Sequence, residues 1–600
     1  MRGRRIQRVR YCDEVGGAVP VFLLVLPAFL FLAAFYLFPL IQIVALSFQG
    51  GGGLFENYGS LLSDPLRLTV LLNTLKLSAG VALLCLVLGY PVAYLMVNAR
   101  PERRSALMLI VLASVWVSIL VRTYAWMVLL ARRGPVNALL QFLGLTDEPL
   151  TLLYTDFSVY VGMVHVLLPF MILPLYSVMQ RIDLGLVRSA RSLGCGGFLG
   201  FWFVFLPLSL PGVVAGVLLV FLVSLGFFIT PALLGGAGDV TFVMLIEQEL
   251  AQFLNWGVAS AMSIVLLVAT LVLVALYRFL MRSDARLAGA DNRILGLLSV
   301  LMRSALRSRA VRRTLGVAGY GAEGSVAWLR RIVALVVRAV PWLVVGFLVL
   351  PLLVIVPLSL SSSPFLEFPP PGITLRWYVQ VFSRMDWLGP IAVSVRLALV
   401  VGVGATLLGL LASVALVRGS FPGKGLLAGF IVSPMIVPVM VLAVAMQYFM
   451  ARLGLAGTLS GLALSHVVLA LPFVVVVLTG ALQTVDTGLE RAAQALGATP
   501  FVAFVRVTLP LIRPALLTSG LFAFLVSFDE LVIALFLAGP ATKTLPKRMW
   551  EAVREEIDPA TAAVAVLVTG VCVLGLLLAE RARSRLVRRS NLHNLNKVFE

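Results

Sequence analysis

The chain has 600 residues, of which 60% are hydrophobic and only 12% are charged. Soluble globular domains carry about 25% charged residues, so this composition excludes an ordinary water-soluble protein and places most of the chain in lipid. The formal net charge of +20 would suit a nucleic-acid ligand, but the Arg and Lys residues are not interleaved with aromatic residues on a soluble face. A nucleic-acid partner is therefore not expected.

Apolar stretches of about 20 residues, long enough to cross a hydrocarbon core, recur along the whole chain, and about twelve can be distinguished. Those of the first half are predicted at 20–48, 68–97, 105–131, 157–180, 212–235 and 256–281. Those of the second half are predicted at 339–361, 390–417, 424–451, 460–480, 514–538 and 560–580. The predicted fold class is an all-α polytopic membrane protein.

The basic residues cluster in a few of the polar breaks. Five Arg lie among the first ten residues, eleven Arg lie between Arg282 and Arg338, and six Arg or Lys follow from Arg581 onward. Because an excess of Arg and Lys marks cytoplasmic segments, both termini and the central linker are predicted to be cytoplasmic. The first apolar run is too long for a signal peptide and is interpreted as a retained span. The predicted domains are a first half at 1–281, a basic linker at 282–338, a second half at 339–580 and a basic tail at 581–600.

A segment of the first half recurs in the second half. Residues 183–211 and 486–514, which are 303 positions apart, share 14 of 29 residues, where chance in a Leu-rich chain would give roughly 2 or 3. Both copies follow the fourth predicted span of their half, so the repeat is parallel and its axis lies along the membrane normal. The sequence thus predicts two homologous six-helix halves around a pseudo-twofold pore.

Each copy of the repeat contains a short loop motif with the same spacing. The copies are Arg188-Ser-Ala-Arg-Ser-Leu-Gly194 and Arg491-Ala-Ala-Gln-Ala-Leu-Gly497, and each reaches a Leu-Pro pair twelve residues after its glycine. The motif resembles the EAA loop of ABC importer permeases, in which Glu-Ala-Ala is followed by a Gly six residues after the Glu and then by Leu-Pro. Arg188 and Arg491 stand where that family has its Glu, although Glu490 lies one position earlier in the second copy.

The resemblance implies a type I (MetI-like) permease of the bacterial cytoplasmic membrane, in which this loop is a coupling helix that docks on an ATPase subunit. A short helix with small residues and a terminal glycine can turn sharply and approach another protein closely, and aromatic residues beyond it provide anchors. The residues expected at the two docking points are Arg188, Ala190, Gly194, Phe198, Phe201, Pro207, Arg491, Ala493, Gly497, Phe501, Phe504 and Pro510.

The resemblance also implies partners. Two ATPase subunits and a periplasmic solute-binding protein are expected in addition to membrane lipid, and because one chain supplies both docking loops, a second permease subunit is not. No Walker motif, GxSxG, HExxH or comparable constellation occurs in the sequence. The chain is therefore not expected to be an enzyme, and no metal site or cofactor is expected. ATP and Mg would be bound by the partner ATPases.

A second resemblance concerns the cargo. The segment Ser527-Phe-Asp-Glu-Leu-Val-Ile-Ala-Leu-Phe-Leu-Ala-Gly539 is similar to the second permease subunit of spermidine/putrescine importers, and 227–235 is similar to its partner subunit. This implies a polyamine cargo. Asp529 and Glu530 fall within a predicted span, where ionisable groups are costly and usually face a polar pathway. They are candidates to bind an amine, and the alternative is that one of them pairs with a helix terminus or a buried Arg.

Other polar and aromatic residues have weaker functional interpretations. Trp116 and Tyr124 lie along the third predicted span and are candidates to line the pathway, with interfacial anchoring as the alternative. His165 and His466 are not equivalent in the repeat and are expected to make polar contacts inside the bundle. Acidic residues of the predicted outer loops are expected to be solvated, with capture of a cation or a receptor as the alternative: Glu247, Glu249, Glu551, Glu555 and Glu556.

Two other functions stay open. The first is a permease of the same class with another cargo, namely ferric iron, thiosulfate or sulfate, phosphonate, or an opine. The net charge of +20 would favour an anion, but most of that charge lies in segments predicted to be cytoplasmic, where it cannot select a solute at the outer face. The second is an ion-coupled secondary transporter, against which the parallel repeat counts.

Overall fold

The computed structural model describes residues 21–50, 53–192, 200–285, 327–364, 368–555 and 559–575. Helices account for nearly all of these residues, and the only strand-like pairing among them is one isolated bridge between Ser361 and Ile373. The predicted all-α polytopic fold is confirmed. In the first repeat half the helices are α1 Val21–Ser47, α2 Glu56–Ser63, α3 Pro65–Asn98, α4 Pro101–Trp116, α5 Ile119–Leu130, α6 Pro135–Phe142, α7 Asp156–Met179, α8 Leu184–Ser192, α9 Phe201–Leu225, α10 Ile229–Leu234, α11 Phe242–Ala251 and α12 Trp256–Ala285.

The second repeat half contains the same series with one short helix fewer. Its helices are α13 Ala327–Ser359, α14 Arg376–Ser383, α15 Met385–Arg418, α16 Lys424–Val432, α17 Val439–Arg452, α18 Leu459–Thr484, α19 Thr487–Ala495, α20 Pro500–Phe528, α21 Val532–Leu537, α22 Leu545–Glu555 and α23 Pro559–Gly575. Within the described ranges, nine helices are long and apolar enough to cross a membrane, and two bent pairs bring the total to eleven. The helix α23 is shorter and lies at the position of the twelfth predicted span.

The third span of each half is bent, although continuous spans were predicted at 105–131 and 424–451. The chain turns by 95° after α4 and by 93° before α17. Before α17 the break falls at Pro438, which lacks a backbone N–H and so cannot continue the hydrogen-bond ladder. After α4 the extended residues Val117 and Ser118 make the turn. Neither of these is Gly or Pro, so the sequence carries no breaker signal there.

The predicted fifth spans at 212–235 and 514–538 are displaced. The helices α9 and α20 begin before those ranges and end at Leu225 and Phe528, after which the chain breaks and starts the short helices α10 and α21. The prediction that Asp529 and Glu530 lie within a span is therefore wrong. Both residues lie in the break between α20 and α21.

Two compact units can be distinguished by internal contacts. One unit contains Met1–Ala45, Met385–Arg548 and Leu574–Glu600, and the other contains Leu46–Arg384 and Met549–Val573. In the first unit, α1 packs on the second repeat half, where the Phe29 and Phe430 rings lie 5.5 Å apart and Ser433 donates to the Tyr36 hydroxyl. In the second unit, α13 packs on α5 and α7 of the first repeat half. The first unit thus contains α1 of the first repeat half, and the second unit contains α13 and most of α23 of the second, so the units do not coincide with the sequence repeats.

The repeat extends to individual hydrogen bonds. At the start of α11, the Phe242 N–H donates to the Thr74 hydroxyl at 2.8 Å, and at the start of α22 the Leu545 N–H donates to the Ser394 hydroxyl at 2.8 Å. In both cases a hydroxyl on a long span satisfies a backbone donor that a helix N-terminus leaves without a partner. Gly89 in α3 and Gly409 in α15 are equivalent and have the same role. The absence of a side chain lets α3 approach α7 closely and lets α15 approach α18 closely.

Candidate functional site: coupling helices and substrate pathway

The two repeated loops form short helices, α8 and α19, as predicted. Each begins at an Asp whose carboxylate accepts a backbone N–H two residues on: Asp183 from Gly185 at 2.7 Å and Asp486 from Gly488 at 2.8 Å. Such caps stabilise short helices by about 1 kcal/mol. Because α19 has no buried residue, packing contributes little to holding it in place, and its surface is open to a partner.

The end of α19 shows why the glycine of the motif is needed. Gly497 has φ +91°, its N–H donates to the Gln494 carbonyl, and the Ala498 N–H donates to the Ala493 carbonyl. These two bonds form a Schellman motif, which requires a left-handed residue that only glycine adopts without cost. The corresponding Gly194 and the anchor Phe198 lie outside the described residues.

A substitution tests this helix end. Replacing Gly497 by Ala should destabilise the end of α19 by about 1–2 kcal/mol, because a side chain in the left-handed region is strained. Amide hydrogen exchange over 487–498 measures the effect. Gly480→Ala is the matched control, since a Cβ there meets nothing within 4 Å and its φ is ordinary. Equal exchange in both variants would contradict the role given to Gly497.

The remaining docking residues divide into an outward and an inward set. The outward set consists of the exposed residues Arg188, Arg491, Phe501 and Pro510, and the Phe501 side chain is 74% exposed. The residues that are half-buried are Ala190, Phe201, Pro207, Ala493 and Phe504. The inward set supports the loop from the bundle side, so only the outward set can contact another protein without rearrangement.

The two carboxylates in the break after α20 have different surroundings. Glu530 is turned back onto α21, where its two oxygens accept the N–H groups of Ile533 at 2.9 Å and Ala534 at 3.1 Å. Its side chain is only 7% exposed and lies 3.5 Å from His466 Nε2. Asp529 is half-buried and makes neither of these helix contacts. The alternative of a carboxylate paired with a helix terminus therefore describes Glu530.

His466 completes this cluster, which consists of His466, Ser527 and Glu530. The His466 ring is fully buried, and its Nδ1 is 2.9 Å from the Ser527 hydroxyl. The imidazole thus bridges the last turn of α20 and the carboxylate at the start of α21. His165, in α7, is also buried and lies 3.3 Å from the Leu348 carbonyl. Both histidines make the polar contacts inside the bundle that were predicted.

The aromatic candidates lie at different depths. Trp116 is the last residue of α4 and is half-buried, whereas Tyr124 is fully buried in α5. The next aromatic residue, Trp126, packs edge-on against His165 and lies 5.1 Å from the Phe347 ring. Interfacial anchoring does not describe Tyr124 or Trp126, because every residue from Leu120 to Leu130 is buried.

A buried cation in the same helix was missed by the sequence analysis. Arg122 has an exposure of only 3% within α5, although charged side chains are almost never fully buried unless paired. The signal was available, because Arg122 is an ionisable residue in the middle of a predicted span and such residues are functional candidates by default. It was overlooked beside the aromatic residues around it.

Sequence comparison places these features in a known family. The sequence profile described as "Binding-protein-dependent transport system inner membrane component" matches residues 85–283 and again residues 405–588. This chain belongs to that family. Each match includes one of the two repeated helices, α8 and α19, and together they cover more than half of the chain. The chain is therefore an ABC importer permease with two permease domains in one polypeptide.

Several members of this family resemble the chain in sequence. The spermidine/putrescine transport system permease protein PotB of Haemophilus influenzae is 37% identical over 42% of this chain and 90% of its own length. The putrescine transport system permease protein PotI of Escherichia coli is 33% identical over 42% of this chain and 97% of its own length. A bacterial ABC transporter for the import of alginate has a solved structure with 20% identity and a TM-score of 0.37, over 45% of this chain and 96% of that chain.

The segments α11 and α22 of this permease are helices and not loops, and solvation, which was predicted for their acidic residues, is wrong for Glu249. Glu249 is buried, with its Oε1 2.8 Å from Arg67 Nη2. Burial raises the pKa of the Glu247 carboxyl, which the Arg554 guanidinium opposes. Glu551 interacts within the chain, Glu555 is exposed, and Glu556 lies outside the described residues.

These two neighbouring carboxylates predict opposite effects on stability. Glu249→Gln should lower the free energy of unfolding by about 1–3 kcal/mol, because it leaves the partly buried Arg67 without its closest carboxylate. Glu247→Gln should change it little or raise it slightly, since a raised pKa means that ionisation disfavours the folded state and that stability falls as the pH rises through the titration. Thermal denaturation at pH 8 in detergent measures both. A larger loss of stability in Glu247→Gln than in Glu249→Gln would contradict the roles given to these two carboxylates.

Proposed function

We propose that this chain forms the whole membrane pathway of an ATP-driven importer and translocates a polyamine that a periplasmic binding protein delivers. The proposal rests on the presence of two coupling helices, α8 and α19, in one polypeptide. Each begins at an Asp cap and has exposed side chains. Each would dock on one ATPase subunit, and closure of the ATPase pair would move both repeat halves. No second permease subunit is then required.

The polyamine cargo has two supports. The relatives PotB and PotI carry spermidine and putrescine in their names. In this chain, Asp529 lies at the end of the span α20 and is half-buried, and its carboxylate would attract an amine in a passage of low dielectric. The repeat-equivalent residue in the first half is Gly226, so the pathway would carry this charge on one side only.

Reconstitution with the partners tests the proposal. The chain is placed in proteoliposomes with its ATPase subunits and binding protein, and the uptake of labelled spermidine and putrescine is measured with ATP, without ATP, and with an ion gradient alone. ATP-dependent uptake is expected. Uptake driven by the gradient without ATPase would overturn the importer function. ATP-dependent uptake of ferric iron, thiosulfate, phosphonate or an opine in place of the amines would overturn only the cargo.

A further inference from the structure

The two repeat halves differ in chemistry where the end of α3 or α15 meets the start of the fifth span, next to each coupling helix. The first joint consists of Tyr94, Phe201 and Phe205, and the second joint consists of Arg418, Glu490 and Thr508. The first joins α3 to α9 and contains no residue of α8, whereas the second includes Glu490 of α19. The helices α3 and α15 are both 34 residues long and end at Asn98 and Arg418, while Phe205 and Thr508 are related by the repeat offset of 303.

Both joints lie where the fifth span of a half begins. The helix there widens into one π-helical turn, at Phe201–Phe205 and at Phe504–Thr508, directly before the Leu-Pro pair. A proline cannot donate to the helix ladder, so the preceding turn has a free carbonyl and is easily deformed. A turn of this kind transmits movement poorly by itself, and side chains that bridge it determine how firmly the coupling helix is connected.

The first joint is aromatic. The Tyr94 ring, in the last turn of α3, packs edge-on against Phe205 at 5.0 Å and against Phe201 at 5.6 Å. Edge-to-face pairs of this kind contribute about 0.5–1.5 kcal/mol beyond their buried area and do not depend on salt. Val187 stands in α8 where α19 has Glu490, so the first coupling helix has no carboxylate at this position.

The second joint is ionic. The carboxylate of Glu490, in α19, accepts from Arg418 Nη2 at 3.1 Å and from the Thr508 hydroxyl. The Arg418 and Glu490 side chains are only 18% and 15% exposed, so this pair is screened less than a surface pair. One carboxylate thereby ties the coupling helix to the end of α15 and to the start of α20. Since α19 has no buried residue, little else holds it.

We propose that Glu490 is the positioning residue that carries movement of the second coupling helix into α15 and α20, a role that rests on the proposed ATP-driven function. The acid of this loop acts inward, on its own bundle, while Arg491 at the next position faces outward. The two docking points are then mechanically inequivalent. The second is weakened by loss of one charge, whereas the first contains no charge to lose.

The tether itself is tested on the purified full-length chain in nanodiscs. Amide hydrogen exchange over 487–495 should become about fivefold faster in Glu490→Gln, which corresponds to about 1 kcal/mol. High salt should speed exchange in the unmodified chain less than the substitution does, because the pair is partly buried. Arg491→Gln is the matched control, since it removes an exposed charge one residue away, and it should leave exchange unchanged. Exchange in the double variant R418E/E490R should return to within about twofold of the original rate. Unchanged exchange in Glu490→Gln would overturn the proposal.

The coupling role is tested with ATPase subunits and binding protein present. Glu490→Gln should still bind ATPase and hydrolyse ATP, while solute uptake per ATP falls about fivefold and recovers in R418E/E490R. Faster exchange with unchanged uptake per ATP would overturn the coupling role and leave a structural ion pair. If the unmodified chain shows no ATP-dependent uptake, the importer function fails and the coupling role fails with it. The exchange result then still decides whether the ion pair holds α19.

Discussion

Replacing Asp529 by Asn should lower polyamine uptake about tenfold or more, while replacing the adjacent Glu530 by Ala should lower the stability of the protein. Asp529→Asn removes a charge that an amine would meet in a passage of low dielectric, where one close charge pair contributes about 1.5–7 kcal/mol. The hydrogen bonds that Glu530 makes to the start of α21 remain in this variant. Uptake over a series of polyamine concentrations, together with the yield of assembled complex, measures this effect.

Glu530→Ala acts differently. It leaves the N–H groups of Ile533 and Ala534 without acceptors and removes the carboxylate beside the buried His466. Two lost charge-assisted hydrogen bonds correspond to about 3–5 kcal/mol, so the thermal midpoint and the yield should fall. Glu530→Gln keeps one carbonyl acceptor, so its thermal midpoint should lie between those of the unmodified protein and Glu530→Ala. If Asp529→Asn left uptake unchanged and Glu530→Gln abolished it in a stable protein, the assignment of roles would be reversed.

Hydropathy alone predicted most of the helices, because a segment with no water around it must satisfy its backbone within the helix. It could not predict the bends. At Val117 and Ser118 the chain turns without Gly or Pro, and after Phe528 the helix ends inside a stretch that remains apolar on both sides. In each place packing between distant helices determines the backbone, and a hydropathy window contains no information about such contacts.

The same limit applies to the candidate site. The spacing of the repeated motif was enough to predict the short helices α8 and α19 and the glycine that ends α19, since caps and left-handed residues are local features. The partners of Glu490 were not predictable. Arg418 lies 72 positions away and Thr508 lies 18 positions away, and only the packed bundle brings them together. The difference between the compact units and the sequence repeats has the same origin.

Comparison of the two halves shows where duplication has been followed by divergence. The two halves share the side chains that accept backbone N–H groups at helix starts, including the Asp caps of α8 and α19 and the hydroxyl acceptors Thr74 and Ser394. Two carboxylates of the second half are not shared. Position by position, the second half has carboxylates at Glu490 and Asp529 where the first half has Val187 and Gly226. The fold is thus duplicated, while the ionic roles proposed here are concentrated in the second half.

Single substitutions in the coupling helices should remove the ATPase subunits one at a time. Leu186 and Leu489 are equivalent in the repeat and are 51% and 48% exposed on α8 and α19. If α8 and α19 dock on the ATPase subunits as proposed, these two leucines lie in the contacts and are covered there. Placing an Asp at either position should weaken ATPase binding there by about 2–4 kcal/mol, roughly 30- to 1000-fold, as for a central interface residue.

Native mass spectrometry of the purified complex measures the result. The unmodified chain should bind two ATPase subunits, Leu186→Asp or Leu489→Asp should bind one, and the double variant should bind none. Leu375→Asp, at an exposed leucine between α13 and α14, controls for the introduction of a charge and should retain both. A complex that keeps two ATPase subunits in the double variant would show that docking occurs elsewhere. A complex that needs an added permease subunit to reach two would refute the inference that one chain supplies both docking points.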